Sequence, residues 1–159
     1  KELTLVILEA GEIFGELEMF EEVPRDTIAE ALDDAHICMI RREDFERLLK
    51  NQPQCSFKLT KLIGLRMKQI ENRIEDLVFR DAPARLAQLL INLSTSFGSD
   101  TTNGRTITTK MTHQELANLI GTTRETVSLT LGQFQQSGLI IMAKRQITIL
   151  DLAGLQQLI

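Results

Sequence analysis

Two signals for the start of a helix lie ten residues apart in the second half of the chain. Thr112 is followed three residues later by Glu115, and Thr122 is followed three residues later by Glu125. Each pair fits a capping box, in which a hydroxyl caps the helix and a glutamate reaches back to the capping residue. Gly121 lies between the pairs, where a left-handed residue can end the first helix. The stretch therefore predicts a helix-turn-helix.

The second predicted helix, which runs to about Gln136, separates apolar from polar side chains. Val127, Leu131 and Phe134 share one face and are expected to pack inward. The opposite face is small and polar at its start, which suits a helix that enters the major groove of DNA. That outward face holds Glu125, Ser128, Leu129, Gly132 and Gln136.

Side chains at the start of this helix have the chemistry to recognise bases. Arg124 can offer two donors to guanine, and Glu125 can accept from the amino group of cytosine. Ser128 can touch a base or a phosphate, and Leu129 can contact a thymine methyl group. The alternative is that Arg124 and Glu125 form an ordinary solvated first turn. The predicted DNA-contacting residues are Thr112, His113, Thr122, Thr123, Arg124, Glu125, Thr126, Ser128, Leu129, Lys144 and Arg145.

Two short runs after the second helix, Leu139 to Met142 and Gln146 to Leu150, predict a β-hairpin. The tip between them carries Lys144 and Arg145. A basic tip beside the reading helix would lie near a phosphate, as in a wing, although exposed tips are often basic for solubility alone. His113 begins the first helix and is either a phosphate neighbour or an ordinary surface residue.

A helical pattern without internal proline runs from about Gln54 to Phe79. Five apolar residues in it are spaced by four, three, four and three positions, like the a and d positions of a coiled coil. We expect this seam to join two copies of the chain. The alternative is an amphipathic helix packed on its own domain. The seam consists of Ile63, Met67, Ile70, Ile74 and Leu77.

The region before this helix has the pattern of short strands. Leu3 to Leu8, Ile28 to Ala31 and Ala35 to Ile40 are predicted to be strands, and Asp44 to Leu49 a short helix.

After the long helix, Asp81 can cap a further helix that has Pro83 in its first turn and continues from Arg85 to Phe97. The polar stretch from Gly98 to Arg105 is predicted to be a loop. With a boundary near Asp81, the predicted domains are 1–54, 55–80 and 81–159.

The formal net charge of −4 is unevenly distributed. Residues 1–81 carry 12 Lys and Arg against 18 Asp and Glu, a charge of −6, whereas residues 82–159 carry 6 against 4, a charge of +2. Because +2 is small, phosphate binding by the second half would also rely on helix N-termini and hydroxyl groups.

The sequence shows no nucleophile with a nearby base, no metal-ligand spacing and no phosphate loop, so we expect no enzymatic activity. Cys38 and Cys55 form neither a disulfide framework nor a metal pair and are expected to be buried thiols, and His36 is expected to be structural.

No apolar run approaches the roughly 20 residues that cross a bilayer, and no leader is visible. A cytoplasmic protein is expected. A ligand-binding interaction module without DNA affinity is the main rival.

In this order and spacing, the motifs resemble those of the Crp-Fnr superfamily of bacterial transcription regulators. The matching stretches are Gly11 to Glu16, the long helix that ends at Arg80 and Asp81, Arg85 to Ala87, and Gly121 to Ile140. The resemblance covers nearly the whole chain. It implies an α+β fold with a partial cyclic-nucleotide-binding-like β-roll, a long dimerisation helix and a C-terminal winged helix-turn-helix.

The resemblance also implies a homodimer on a palindromic site in double-stranded DNA, with a hinge near Asp81. Activators of the family contact RNA polymerase through the region that matches Gly98 to Arg105, and activation and repression are both open here. In the cAMP-receptor branch the base readers match Arg124, Glu125 and Leu129. The third is usually arginine there, so we do not expect the full site preference of that branch.

The effector pocket of the cAMP-receptor branch is matched only in part. Gly15 and Glu16 match the turn that holds the ribose, and Arg25 matches the phosphate-binding arginine. Asp26 stands where the family has a small hydroxyl residue, and a carboxylate repels a phosphate at close range. We therefore expect a small-molecule effector other than cAMP, or none, and infer no definite cofactor. The two positions whose hydroxyls contact adenine in that branch are occupied by Ile70 and Glu71.

Overall fold

The computed structural model describes residues 3–16, 27–143 and 146–159. The chain divides into two units, one formed by Val6–Ile70 and the other by Lys1–Leu5 together with Glu71–Ile159. The helices and strands, in chain order, are α1 (Arg42–Asn51), α2 (Pro53–Phe79), α3 (Ala82–Phe97), β1 (Gly98–Thr101), β2 (Gly104–Ile107), α4 (His113–Ile120), α5 (Arg124–Gln136), β3 (Ile140–Ala143), β4 (Gln146–Ile149) and α6 (Leu152–Gln156).

In the unit Val6–Ile70, α1 and the first part of α2 bury the side chains of Phe45 and Leu59. Helix α2 begins at Pro53, where the missing amide proton costs nothing because the first turn has no intrahelical acceptor. Both helices therefore form where the sequence predicts them, with boundaries that differ by only one or two residues.

The three predicted strands before α1 are wrong for the residues that the structure describes. Neither Leu3 to Leu8 nor the two runs between positions 28 and 40 are assigned as strands. A strand is held by backbone hydrogen bonds to a neighbour, and in the described part of the chain the first ladder begins at Gly98. Apolar side chains are consequently left in solvent, since Ile28 is 91% and Met39 94% exposed.

The cysteine and histidine expectations for this region also need correction. Cys38 is exposed, and Cys55 is only half-buried, with its Sγ 3.6 Å from Gln52 Oε1. His36 lies in the same exposed, unpaired stretch as Cys38. Because no strand forms between positions 28 and 40, the apolar neighbours of His36 and Cys38 do not enclose them.

Helix α2 exposes part of the predicted seam and turns part of it inward. Met67 is 63% and Ile74 58% exposed. Leu77 is instead half-buried beside Gly121 of its own chain, with Cδ2 only 2.8 Å from where a Cβ on that glycine would lie. At 3.6 residues per turn, the positions three and four after Ile74 lie on either side of it, and the outward one is Val78, 66% exposed. Leu77 therefore contacts its own chain, and its place in a seam between two copies stays a prediction.

Helix α3 supplies the centre of the second core. Asp81 caps it by accepting a hydrogen bond from Ala84 N at 2.9 Å, and a proline stands in its first turn, as predicted. Leu86 and Leu90 are fully buried. Burial of one such side chain contributes about 1.5–3 kcal/mol. Other members of this core are Ala87, Leu116, Ala117, Val127, Leu131, Ile140, Ile149 and Leu155.

A four-stranded antiparallel sheet in the order β1-β2-β4-β3 covers this core. The β3–β4 hairpin confirms the predicted strand pair, with Ile140 opposite Ile149. The predicted loop from Gly98 to Arg105 is wrong, because these residues form most of the β1–β2 hairpin. Strand β2 is held by β4, where Arg105 lies opposite Ile149, and this long-range pairing has no local signature. Helix α6, capped by Asp151, was not predicted.

Residues 3–5 belong to the same unit as the sheet and α3 to α6. Thr4 N donates to Asn118 O at 3.1 Å, so this segment lies along α4. Arg73 Nη1 lies 3.5 Å from Leu5 O, and burial, the largest cause, lowers the pKa of Arg73. Residues 3–5 thus contact both α4 and the second part of α2.

Candidate DNA interface

Helix α4 begins and ends as the sequence predicts. The Thr112 side chain accepts from Glu115 N at 3.2 Å, and the Glu115 carboxylate accepts from Thr112 N, which completes a capping box. Gly121 ends the helix in the left-handed region, at φ 65° and ψ 44°. The helix buries one face, which consists of Leu116, Ala117, Leu119 and Ile120.

Helix α5 begins one residue later than the sequence pattern indicated. Its cap is Thr123, which accepts from Thr126 N at 3.2 Å. Thr122 belongs to the turn instead, because its backbone N donates to Ala117 O at 3.0 Å and closes the end of α4. The predicted capping box from Thr122 to Glu125 is therefore wrong, since the left-handed turn at Gly121 uses the residue that would have been the cap.

Glu125 takes no part in a capping box and faces outward. It lies in the first turn of α5 and is exposed. Its own backbone N–H lowers the pKa of the carboxyl most, followed by the Thr123 hydroxyl, and the positive charge of Arg124 acts in the same direction. At neutral pH the side chain is therefore an exposed, ionised acceptor that also accepts from the Thr123 hydroxyl.

The two faces of α5 differ as predicted. Val127 and Leu131 are completely buried, and Phe134 is 4% exposed. The side chains of Arg124 and Ser128 are exposed, and Leu129 is 66% exposed although it is apolar. The start of α5 thus presents a guanidinium, a carboxylate, a hydroxyl and an isobutyl group on one solvent-facing surface.

One hydrogen bond joins the first helix to this surface. His113 Nδ1 lies 2.7 Å from Ser128 Oγ, and the same Oγ donates to Arg124 O at 2.9 Å. No local sequence signal marks the pair, because the residues are 15 positions apart on different helices. The Thr123 and Thr126 hydroxyls lie 3.0 Å apart at the start of α5 and add two polar groups beside this surface. The predicted phosphate contacts at Lys144 and Arg145 lie outside the described residues.

The predicted effector residues are described only in part. Gly15 has a left-handed φ of 79°, which suits a tight turn. Glu16 is 6% exposed and pairs with Arg66 of α2, with Oε1 2.8 Å from Nη1. Arg66 also donates to Ile13 O, and sequence analysis missed this partner. Arg25 and Asp26 lie outside the described residues. Of the two adenine-contacting positions, Ile70 is half-buried and Glu71 is exposed.

Membrane-spanning and metal-binding features are both missing from the residues that the structure describes. None of the helices there combines the length and the apolar content that a bilayer span needs. No three His, Cys, Asp or Glu side chains in ranges 3–16, 27–143 and 146–159 are grouped so that they could hold a metal ion.

A capped pair of helices packed on a β-hairpin defines a winged helix-turn-helix, and comparison with known proteins assigns it to a family. Residues 84–158 match the family model of the Crp-like helix-turn-helix domain, and residues 1–52 match that of the cyclic nucleotide-binding domain. The global nitrogen regulator of a Nostoc species is 32% identical over 151 residues, which cover 94% of this chain and 68% of that protein. The chain therefore belongs to the Crp-Fnr superfamily of transcription regulators.

Further relatives agree with this assignment. The CRP-like cAMP-activated global transcriptional regulator of Mycobacterium tuberculosis is 29% identical over 151 residues, with 95% of this chain and 67% of that protein covered. A structure of a CooA mutant from Carboxydothermus hydrogenoformans has a TM-score of 0.67 at 29% identity and covers 72% of this chain. A Crp/Fnr-family regulator from Thermus thermophilus has a TM-score of 0.62 at 30% identity and covers 67%. The chain spans 53% and 55% of those two structures.

Proposed function

We propose that this chain binds a palindromic site in double-stranded DNA as a homodimer and regulates transcription there. The proposal rests on one observation: at the capped start of α5, the side chains of Arg124 and Glu125 are exposed to solvent. Side chains at the N-terminal end of a recognition helix are those that reach base edges in the major groove. The fully buried opposite face fixes the orientation of the helix on its domain.

The readout proposed for this surface follows from the hydrogen-bonding groups. Arg124 donates twice to guanine, and the ionised Glu125 accepts from a cytosine amino group. Leu129 offers 66% of its surface to a thymine methyl group. The proposed contacts to the sugar-phosphate backbone are made by Thr112, Thr122, Thr123, Thr126, Lys144 and Arg145.

The dimer is proposed to form along the outward side of α2. Met67 and Ile74 are seven positions apart and largely exposed, and Ile63 and Ile70 flank them as half-buried residues. Val78 takes the place that the sequence pattern assigned to Leu77. We also propose that the β1–β2 hairpin contacts RNA polymerase and that the protein acts in the cytoplasm.

The effector is proposed to be a small molecule other than cAMP. In the cAMP-receptor branch, the turn that Gly15 and Glu16 match holds a ribose, but here the Glu16 carboxylate is already paired with Arg66 at 2.8 Å. A ribose hydroxyl would have to compete with a charge-assisted hydrogen bond that is shielded from water. Ile70 adds no hydrogen bond for a base, because its side chain has no polar atom.

The test selects binding sites from a random double-stranded library and measures their affinity by fluorescence anisotropy at two salt concentrations. We expect the wild-type protein to enrich a palindrome, and Arg124→Ala to lose about 1–3 kcal/mol on that site and to relax one base position in each half. Arg47→Ala, which removes an exposed positive charge on α1, serves as the control and should keep the preference. A wild-type protein that enriches no sequence would instead support a ligand-binding module without DNA recognition.

A further inference from the structure

The hydrogen bond between His113 and Ser128 determines what Ser128 can offer to DNA. Two partners surround Ser128 Oγ, namely His113 Nδ1 at 2.7 Å and Arg124 O at 2.9 Å. A serine hydroxyl has one proton and two acceptor lone pairs. Since a backbone carbonyl only accepts, the proton of Ser128 goes to Arg124 O. Nδ1 of His113 must then carry a proton and donate it to Ser128 Oγ.

This arrangement leaves one unused position on the hydroxyl, and it is an acceptor lone pair. In the major groove, the amino groups of cytosine and adenine donate, whereas O6 of guanine and O4 of thymine accept. An unrestrained serine can rotate to donate or accept and so tolerates all of these groups. With both partners in place, Ser128 can satisfy only a base that brings a proton.

We propose that His113 is a positioning residue: by donating to Oγ it holds the Ser128 hydroxyl with its proton on Arg124 O and its remaining lone pair towards DNA, and so biases one base of each half-site towards cytosine or adenine. The inference rests on the proposed function, because it concerns the same DNA-facing surface. His113 is not needed to start α4, since Thr112 and Glu115 already complete the capping box there. Its half-buried ring instead connects the first turn of α4 to the exposed surface of α5.

The first test is a binding-site selection with three variants of the full chain. Ser128→Ala identifies the base position that the hydroxyl senses, and His113→Ala removes the donor. His113→Asn is the conservative rescue, because its amide nitrogen can donate from about the place of Nδ1. The matched control is His36→Asn, which changes the other histidine of the chain at an exposed position.

We expect the wild type, His36→Asn and His113→Asn to prefer cytosine or adenine at that position by roughly three- to tenfold, the value of a single hydrogen bond. Ser128→Ala and His113→Ala should both lose the preference, and the double variant should lose no more than either. If His113→Ala keeps the preference, or weakens all sites equally as a lost phosphate contact would, the inference is overturned while the proposed function stands. If the wild type enriches no sequence, the proposed function itself fails.

The second test does not need DNA. Long-range proton–nitrogen NMR spectra distinguish the two neutral tautomers of histidine and the imidazolium, and His36→Asn assigns the signals. We expect a proton on Nδ1 of His113, in the neutral or the charged ring. A neutral ring with its proton on Nε2 would make Nδ1 an acceptor, and this would overturn the inference whatever the binding data show.

Discussion

The left-handed turn at Gly121 allows a quantitative test of how the two reading helices are joined. Its φ of 65° is a conformation in which a residue with a Cβ is strained by about 1–2 kcal/mol. A Cβ there would also lie 2.8 Å from Leu77 Cδ2, which must move by a few tenths of an ångström. We therefore expect Gly121→Ala to lower the free energy of unfolding of this unit by about 1–2 kcal/mol.

Gly132 is the matched control because it lies inside α5 and has open space around its Cβ position. Replacing a helical glycine with alanine adds about 0.5–1 kcal/mol of stability. The two Gly→Ala variants should therefore differ by roughly 1.5–3 kcal/mol, with opposite signs relative to the wild type. Gly121→Asn should lose less than Gly121→Ala, because asparagine tolerates the left-handed region better.

Because the chain forms two units, unfolding is best followed by residue. Two-dimensional NMR peaks from α3 to α6 in a urea series would report this unit separately, and thermal scans by circular dichroism would not. If Gly121→Ala is as stable as the wild type, the turn cannot have the left-handed geometry described above. If Gly121→Ala and Gly132→Ala lose the same free energy of unfolding, the loss does not come from the left-handed backbone of Gly121.

Three further changes test the helix cap, the buried ion pair and the α2 face. Thr123→Ala should cost about 0.5–2 kcal/mol in urea unfolding, whereas Thr122→Ala should cost little. Thr123→Ala should also raise the lowered pKa of Glu125 in an NMR titration, because it removes the hydroxyl that donates to the carboxylate, and an unchanged pKa refutes the contact. Since the pKa is lowered in the folded state, ionised Glu125 favours that state above its ordinary pKa, and this contribution is lost as pH falls through the lowered value. Glu16→Gln should destabilise the unit Val6–Ile70 by about 3 kcal/mol, since it leaves a shielded guanidinium without its counter-ion, and an unchanged unfolding midpoint argues against the pair. Ile74→Asp should shift sedimentation towards monomer, and an intact dimer rules out this face.

The parts of the site that follow from neighbouring residues could be predicted from the sequence. The ends of α4 and the start of α3 depend on hydrogen bonds that span three residues, from Thr112 to Glu115 and from Asp81 to Ala84. Such caps depend little on the rest of the fold. The inward face of α5 likewise follows from helix periodicity. The cap of α5 was the exception. Thr122 and Thr123 are adjacent and either could cap the helix, and the tight turn at Gly121 leaves that role to Thr123.

The order of the helices, the helix-turn-helix and the outward position of Arg124 could all be inferred from the chain alone, since each depends on contacts within one or two turns. Long-range packing was needed to establish that Arg105 lies in a strand opposite Ile149, that Leu77 faces its own chain, and that His113 meets Ser128. Those features join residues far apart in the chain, and loop closure lets many distant pairs compete. Which pair forms is settled by how the whole unit packs.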